Sequence, residues 1–372
     1  MNFGLNEEQR ALRDAARRFL AAEAPLSRTR RDMERPEGYD RALWQQMAAE
    51  LGWAAIAIPE AVGGFGLGAV EIAVVQEELG RSLACTPFFA TVCLAATAIR
   101  RAGTEAQQAE WLPRIAAGEV TATLAWVGHP RGWDARTFGA TWETLDGGYC
   151  LRGILHAVID GHTADLLVVG ARGPDDAYGL FLVPADTPGL VRVSVGTMDQ
   201  TRRVATVTLD NVVLPEGARM SGGVETFGAT LDEAAAALAA EQVGIAERCL
   251  EMAVDYAKVR RQFNRPIGSF QAIKHKLADL LVAVESARSA AWYAAWAAAE
   301  APEELPVAAS LAKAWCSDAA FKCAADNIQV HGGIGFTWEH DAHLYLKRAR
   351  ATESFLGDAT WHREQLAVRL GW

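Results

Sequence analysis

The chain has 372 residues, 51% hydrophobic and 22% charged, which is more than one ordinary domain and enough apolar surface for a sizeable core. Its formal net charge of −10 makes nucleic acid and anionic membrane surfaces poor partners. Six cysteines form no CxxC pair and no histidine stands at zinc-ligand spacing, so they read as small packing residues of a reduced, cytoplasmic protein rather than as a metal site or disulfides.

The start, Met-Asn-Phe-Gly-Leu-Asn-Glu-Glu, lacks the basic and apolar regions of a signal peptide. No run approaches the roughly 18 uninterrupted apolar residues of a membrane span. Residues 1–117 read as a helical domain. Asn6 is placed to cap a helix through Phe19, with Leu5, Leu12, Ala16 and Phe19 on one side. Helices at Asp40–Leu51, Ala69–Arg81, Thr91–Arg101 and Glu105–Ala117 follow. Between the second and third, Glu60–Gly68 carries Gly63, Gly64, Gly66 and Gly68 and must be a loop.

Residues 118–224 change character. Short β-rich runs, Thr121–Trp126, Tyr149–Arg152, Asp165–Val169, Gly179–Val183 and Ala205–Leu209, are separated by turn signals such as Asp146-Gly147-Gly148 and Asp210-Asn211. That spacing predicts a small antiparallel barrel or sandwich. From residue 225 to 372 the pattern is again helical. Thr230-Leu-Asp-Glu233 reads as a capping box opening a helix of about 30 residues. Two more long helices, Phe270–Glu300 and Val307–Val330, are stopped by Pro302, Pro306 and His331-Gly332-Gly333. Shorter helices near 338–350 and 358–370 complete a bundle. The alanine-rich stretches Ala234–Ala240 and Ala290–Ala299 fit either open space or close helix packing.

Two segments go beyond patterning: Tyr256-Ala-Lys-Val-Arg-Arg-Gln-Phe-Asn-Arg-Pro-Ile-Gly-Ser-Phe-Gln-Ala-Ile-Lys-His-Lys-Leu-Ala-Asp279 and Gln329-Val-His-Gly-Gly-Ile-Gly-Phe-Thr-Trp-Glu339. Both closely resemble the signatures of acyl-CoA dehydrogenases. Leu5-Asn-Glu-Glu-Gln-Arg and the order helices, strands, helices resemble the family too, so the likeness spans essentially the whole chain. The resemblance implies an N-terminal α-helical domain, a central β-barrel and a C-terminal four-helix bundle. It also implies FAD lying across a subunit interface, with the isoalloxazine ring against one subunit's barrel and the adenine and diphosphate on the neighbour's bundle. The family's base takes an α-proton from an acyl-CoA thioester while the flavin takes the β-hydride, and electron-transfer flavoprotein is the implied acceptor. By resemblance, Arg260, with Gln262 and Phe263 beside it, and Gln271 serve the diphosphate and ribitol region; Gln329, Gly332 and Gly333 admit the other end of the dinucleotide. An arginine supplies permanent charge and forked donors for phosphate, and glycine lets backbone come close. Asn264 stands where the family usually has glycine; asparagine also tolerates positive φ.

The pattern breaks at the base. Leu356, in Glu353-Ser-Phe-Leu-Gly-Asp358, occupies the usual Glu position, and Ala234 the alternative one near the start of the first long bundle helix. Glu233 is turned away by about 100° and reads as part of the capping box. Asp358 reads as a helix cap, and Glu339 as an ordinary helix-start acid. No catalytic residue is therefore assigned. The flavin-ring side departs as well. In Val127-Gly-His-Pro-Arg-Gly-Trp-Asp134, Val127 and Trp133 replace the family's hydroxyls. Ala157 and Ile159 stand where Trp and Thr usually flank the ring, and His129 reads as a loop histidine.

This asymmetry points to a heteromer of the kind that bacterial acyl-CoA dehydrogenases use for sterol or bile-acid side chains: this chain donates dinucleotide-end contacts, and a paralogous partner supplies ring pocket and base. Two other readings stay open on the sequence, a self-sufficient homo-oligomer with Asp358 or Glu233 as a displaced base, and a scaffold of the same fold without flavin.

Overall fold

At the N-terminus, helix formation follows the caps the sequence offers. In the computed structural model, which describes residues 4–129, 132–133 and 137–372, helix α1 spans Glu7–Glu23. Asn6 caps it by accepting from the Gln9 backbone while the Gln9 side chain reaches back. Next come α2 (Leu26–Asp32) and α3 (Arg41–Gln45), the latter capped by Asp40 and running into a wide turn at Gln46–Glu50. The glycine-rich segment opens with a single turn at Glu60–Val62 and leads to α4 (Ala69–Ser82). The helix expected at Thr91 starts earlier, as a wide-turn segment Phe89–Ala96 continuing into α5 (Thr97–Ala102). α6 (Glu105–Ala116) begins with a Thr104–Gln107 capping box.

The middle of the chain forms one curled sheet from β1 (Ala122–Ala125), β2 (Ala140–Leu145), β3 (Gly148–Ile159), β4 (Leu166–Arg172), β5 (Tyr178–Pro184), β6 (Leu190–Val195) and β7 (Val204–Pro215). Its order is β1-β4-β2-β3-β7-β6, with β5 pairing β4. A purely antiparallel sheet is corrected here: β1 runs parallel to β4, and β2 meets β4 in parallel at Thr141 and Arg172. Between them the chain reverses at the β2–β3 hairpin and again between β3 and β4, so β4 runs in the same direction as β1 and β2. Strands β2 and β6 escape a sequence reading because both are short and largely exposed. Inside, Leu151, Leu155, Leu167, Val169, Phe181, Val207 and Leu209 form the core.

The last part consists of α7 (Val224–Val259), a hairpin of β8 (Arg261–Gln262) and β9 (Arg265–Pro266), α8 (Gln271–Glu300), α9 (Leu305–His331), the single turn α10 (Gly333–Phe336), α11 (Ala342–Ser354) and α12 (Ala359–Arg369). The capping box at Thr230 is not formed. α7 is already running from Val224, and the Thr230 hydroxyl donates to the Thr226 carbonyl within it at 2.9 Å.

The chain divides into two compact units, one comprising residues up to Arg30, Ala69–Ala84 and Ala235–Trp372, the other Arg31–Gly68 and Cys85–Ala234. In the first, α1 and α4 join the C-terminal helices. α4 and α7 cross so closely that a Cβ at Gly80 or Gly244 would collide with the other helix's backbone. Ala73, Ala240 and Ala295 pack together, so the alanine-rich faces serve close helix packing rather than open space. Charge is also buried there. Arg348 and Glu241, each almost wholly buried, pair at 3.0 Å. Burial raises the Glu77 carboxyl to about 6 even though Arg288 pairs with it. All six cysteines are free and buried. Among the described residues no helix is long and apolar enough to cross a membrane, and no cluster of three metal-ligating side chains occurs.

Candidate cofactor-end site and the region of the missing base

The two signature segments meet in space. Ala253, Ala257 and Val330 form one small core, and Tyr256, Ile267, Ile273 and Leu277 pack against it. The Tyr256 ring stacks on His331 with centroids 4.3 Å apart, and His331 in turn lies 4.3 Å from His340. This packing fixes the end of α7, the β8–β9 hairpin and the end of α9 against one another. Arg260 follows the last residue of α7. Its N–H donates to the Tyr256 carbonyl and its carbonyl accepts from Ile267, both at 2.8 Å. The backbone is thus fixed while the guanidinium stays exposed.

The hairpin places Gln262 opposite Arg265, with Phe263 and Asn264 between them in left-handed conformation, φ 48° and 63°. Two consecutive positive φ values are what a tight two-residue hairpin turn requires. Asn264 therefore meets the demand that glycine meets elsewhere in the family. Phe263 is 87% exposed, its ring touching only the Phe270 edge at 6.1 Å among aromatic neighbours, while the Arg265 guanidinium covers Phe270 at 4.1 Å. Gln271 opens α8 and is exposed. Gln329, on the last turn of α9, is exposed, as are Gly332 and Gly333. Gly332 has φ 66° and ψ −143°, and neither glycine has a heavy atom within 4 Å of where a Cβ would sit.

All seven residues expected at the dinucleotide end are therefore on the surface of one unit, at the end of α7, the start of α8 and the end of α9. Arg260, Arg261, Arg265 and Lys274 have no carboxylate partner among the described residues. Cations free of carboxylates beside open glycine backbone fit a diphosphate. The surrounding surface is unusually apolar: Val259, Ile334, Phe336 and Trp338 are exposed by 73%, 41%, 80% and 58%. An apolar, cation-studded tip of this kind is a surface prepared to be covered.

The base positions are different. Leu356 is 4% exposed with φ 60°, and Ala234 is fully buried. Glu233 is held by Arg100 Nη2 at 2.7 and 2.9 Å and by Arg101 Nε at 3.0 Å. Asp358 accepts from the Trp361 backbone N–H at 2.8 Å as the cap of α12. Glu339 is exposed ahead of α11. The buried ionisable cluster beside this loop is absent from the sequence reading. Lys313 on α9 and His362 on α12 are both buried, and desolvation pushes the lysine down to about 7 and the imidazole to about 3. A lysine within the alanine-rich face of α9, four residues before Ser317, was the available signal.

In the other unit the flavin-ring positions are filled from within. Val127 pairs with Phe138 across a β-bridge and is 2% exposed. Trp133, 7% exposed, packs edge-on against Trp126 at 5.6 Å; Trp126 meets Phe227 at 5.5 Å, and Phe227 meets Phe138 at 5.3 Å. Ile159 is buried, its carbonyl taken by the Thr123 hydroxyl at 2.6 Å. Ala157 lies at a bulge with φ 52°. His129 is exposed. Pro130, Arg131 and Asp134 of the same stretch lie outside the described residues.

Family models for the acyl-CoA dehydrogenase N-terminal and C-terminal domains match residues 6–119 and 221–371. Acyl-CoA dehydrogenase IpdE2 of Mycobacterium tuberculosis is 36% identical over 350 residues, 94% of this chain and 93% of that protein. Among solved structures, the ChsE4–ChsE5 complex from the same organism has a chain 30% identical, covering 100% of this chain and 99% of its own, with a TM-score of 0.92. A chain of a variant of the Tcur3481–Tcur3483 steroid ACAD is 34% identical, covers 98% of each chain and has a TM-score of 0.89.

Proposed function

Because this chain belongs to the acyl-CoA dehydrogenase family, we propose that it is the base-less subunit of a hetero-oligomeric acyl-CoA dehydrogenase. Its contribution is the dinucleotide end of an FAD whose ring and base belong to a paralogous partner. The observation behind this reading is a contrast within one sequence. Arg260, Gln262, Phe263, Gln271, Gln329, Gly332 and Gly333 are all exposed around cations that have no carboxylate partner among the described residues, whereas Val127, Trp133, Ile159 and Leu356 are apolar and packed. The likeness to chains of the ChsE4–ChsE5 and Tcur3481–Tcur3483 complexes supports a two-chain assembly.

FAD in such an assembly supplies hydride acceptance. Within this chain Arg260 and the hairpin cations would hold the diphosphate, Gln271 and Gln329 would donate amide hydrogens, and Gly332-Gly333 would let backbone approach. The residues on the sheet side do not fit the ring: apolar side chains offer no hydrogen bond to its polar edge. No proton transfer is assigned to this chain either, since Leu356 and Ala234 have no ionisable group and Glu233 and Asp358 are engaged. Because one structural relative is described as a steroid enzyme, the substrate class we propose is the acyl-CoA thioester of a bulky, sterol-derived side chain, with electron-transfer flavoprotein as acceptor.

The test is expression of this chain alone and together with a paralogue encoded beside it. The expected result is a colourless protein alone and a yellow complex holding one FAD per pair that oxidises acyl-CoA. Stoichiometric FAD and turnover by the isolated chain would overturn the proposal in favour of a self-sufficient enzyme. A colourless, inactive co-expressed pair would favour the scaffold reading.

A further inference from the structure

The loop that carries the base elsewhere in the family is held here with unusual completeness. It joins α11 to α12, and two of its carbonyls, with one from the last turn of α11, are taken by buried side chains. Lys313, fully buried on α9, donates to the Glu353 carbonyl at 3.1 Å and the Gly357 carbonyl at 3.0 Å. Its third hydrogen goes to the Ser317 hydroxyl at 2.9 Å, and Ser317 is tied to Gln242 of α7 at 3.1 Å. An ammonium has three N–H groups, and all three find an acceptor. His362, 2% exposed, donates from Nε2 to the Leu356 carbonyl at 2.9 Å. Its Nδ1 faces the Ser310 hydroxyl at 3.4 Å, and Ser310 also accepts from Arg369 at 2.9 Å. With Arg369 feeding the serine oxygen, the serine hydrogen points to Nδ1, and the ring proton is placed on Nε2.

These contacts fix an improbable backbone. Leu356 has φ 60° and Gly357 φ 101°, and a leucine seldom adopts the left-handed conformation. A loop with nothing to position would relax out of it; this one persists because its surroundings over-determine it. We propose that Lys313 and His362 are positioning residues that set where the side chain at position 356 is presented, a clamp retained in a chain whose own residue there is leucine. The clamp is independent of the heteromer; that position 356 is the base position rests on the family reading above.

The experiment reintroduces a carboxyl by Leu356→Glu in the full chain and follows its titration by NMR, with and without Lys313→Met. Position 356 is 4% exposed, so a clamped carboxyl titrates above the ordinary glutamate range. Releasing the clamp lets it reach water, so Lys313→Met is expected to lower its pKa towards the ordinary value. Simple removal of a nearby positive charge would raise it instead, and a rise or no change overturns the proposal. Amide exchange of Phe355–Asp358 is expected to quicken about tenfold in Lys313→Met, and unchanged exchange counts against the clamp equally. Should that variant not fold, Leu356→Glu combined with His362→Phe removes a hydrogen bond without removing charge, and the same fall in pKa is expected. If the titrations behave as expected but Leu356→Glu adds no α-proton exchange with acyl-CoA in the co-expressed complex, the clamp stands and the assignment of position 356 as the base position fails.

Discussion

Replacing Arg260 by glutamine tests the cofactor-end assignment most directly. The side chain is exposed and, among the described residues, without a carboxylate partner, and its backbone is fixed by two hydrogen bonds that the substitution leaves intact. The fold should therefore survive, and the loss should fall on the ligand. A charge-assisted hydrogen bond to phosphate is worth about 1.5–3 kcal/mol when dry and less where water and salt reach it. Arg261, Arg265 and Lys274 stand nearby and take up part of the lost charge. Taking a value just below that range for an exposed site, about 1.4 kcal/mol, the FAD dissociation constant of the co-expressed complex should rise about tenfold. Fluorescence titration of the apo-complex with FAD measures this directly. ADP, which carries the same diphosphate, should compete in the parent complex and about tenfold more weakly in Arg260→Gln. The salt dependence of FAD binding should become shallower in the variant, because one counterion-releasing contact is gone. An unchanged dissociation constant, with an unchanged salt slope, would refute the role given to Arg260.

Three other perturbations follow from the structure. His362 is neutral in the fold, with its pKa pushed by burial from 6.5 to about 3, so its contribution to stability is complete above pH 6.5 and is lost as pH falls from 6.5 towards 3. Urea unfolding between pH 5 and pH 7.5 should show this slope, and His362→Gln should flatten it; an identical pH dependence in the variant would contradict the buried neutral imidazole. At the hairpin tip, Asn264→Gly should leave stability within about 0.5 kcal/mol, whereas Asn264→Ala should lose roughly 1 kcal/mol, because alanine lacks asparagine's tolerance of φ 63°. Equal thermal midpoints for the two variants would count against the turn. Finally, Trp133→Ser should destabilise the chain by about 3–5 kcal/mol by emptying the packing against Trp126, without giving the isolated chain flavin. A stable, yellow variant would show that the tryptophan alone blocks the ring.

The helices were legible wherever caps and periodicity agreed. Asn6, Asp40, Asp358, Pro302 ahead of α9 and Pro306 in its first turn mark helix ends in the sequence as they do in space. Thr230 misled because a capping-box pattern within a helix looks the same as one at its start; only tertiary structure shows that α7 begins at Val224. The sheet was legible as short strands but not in direction, because parallel pairing of β1 with β4 depends on the path between them. The residues around Arg260 stood out because the two segments that resemble the family's signatures, Tyr256–Asp279 and Gln329–Glu339, are each continuous in the sequence. The Lys313–His362 clamp was not: its members come from α9 and α12, and their acceptors are carbonyls, which carry no sequence signal.

The two kinds of change in this chain differ physically as well as in position. At the proposed dinucleotide end all seven assigned residues are exposed, so each could be replaced at little cost to the fold. On the sheet side the departures are buried: Val127 and Trp133 pack with Trp126, Phe138 and Phe227, and Ile159 is 2% exposed beside Val204. Restoring a hydroxyl at any one of them would open a cavity or strand a polar group, so the missing ring contacts are not a single step from return. Position 356 lies between these cases. Its side chain is apolar and buried, and the backbone beneath it is held by Lys313 and His362 with Leu356 at φ 60°. A chain under no functional demand would be expected to lose its exposed cations first and its buried hydrogen bonds last. This one has both, and its departures from the family pattern fall on the flavin-ring side and at the two base positions, which is the outcome expected if a partner supplies the ring pocket and the base while this subunit reaches into the partner's cofactor.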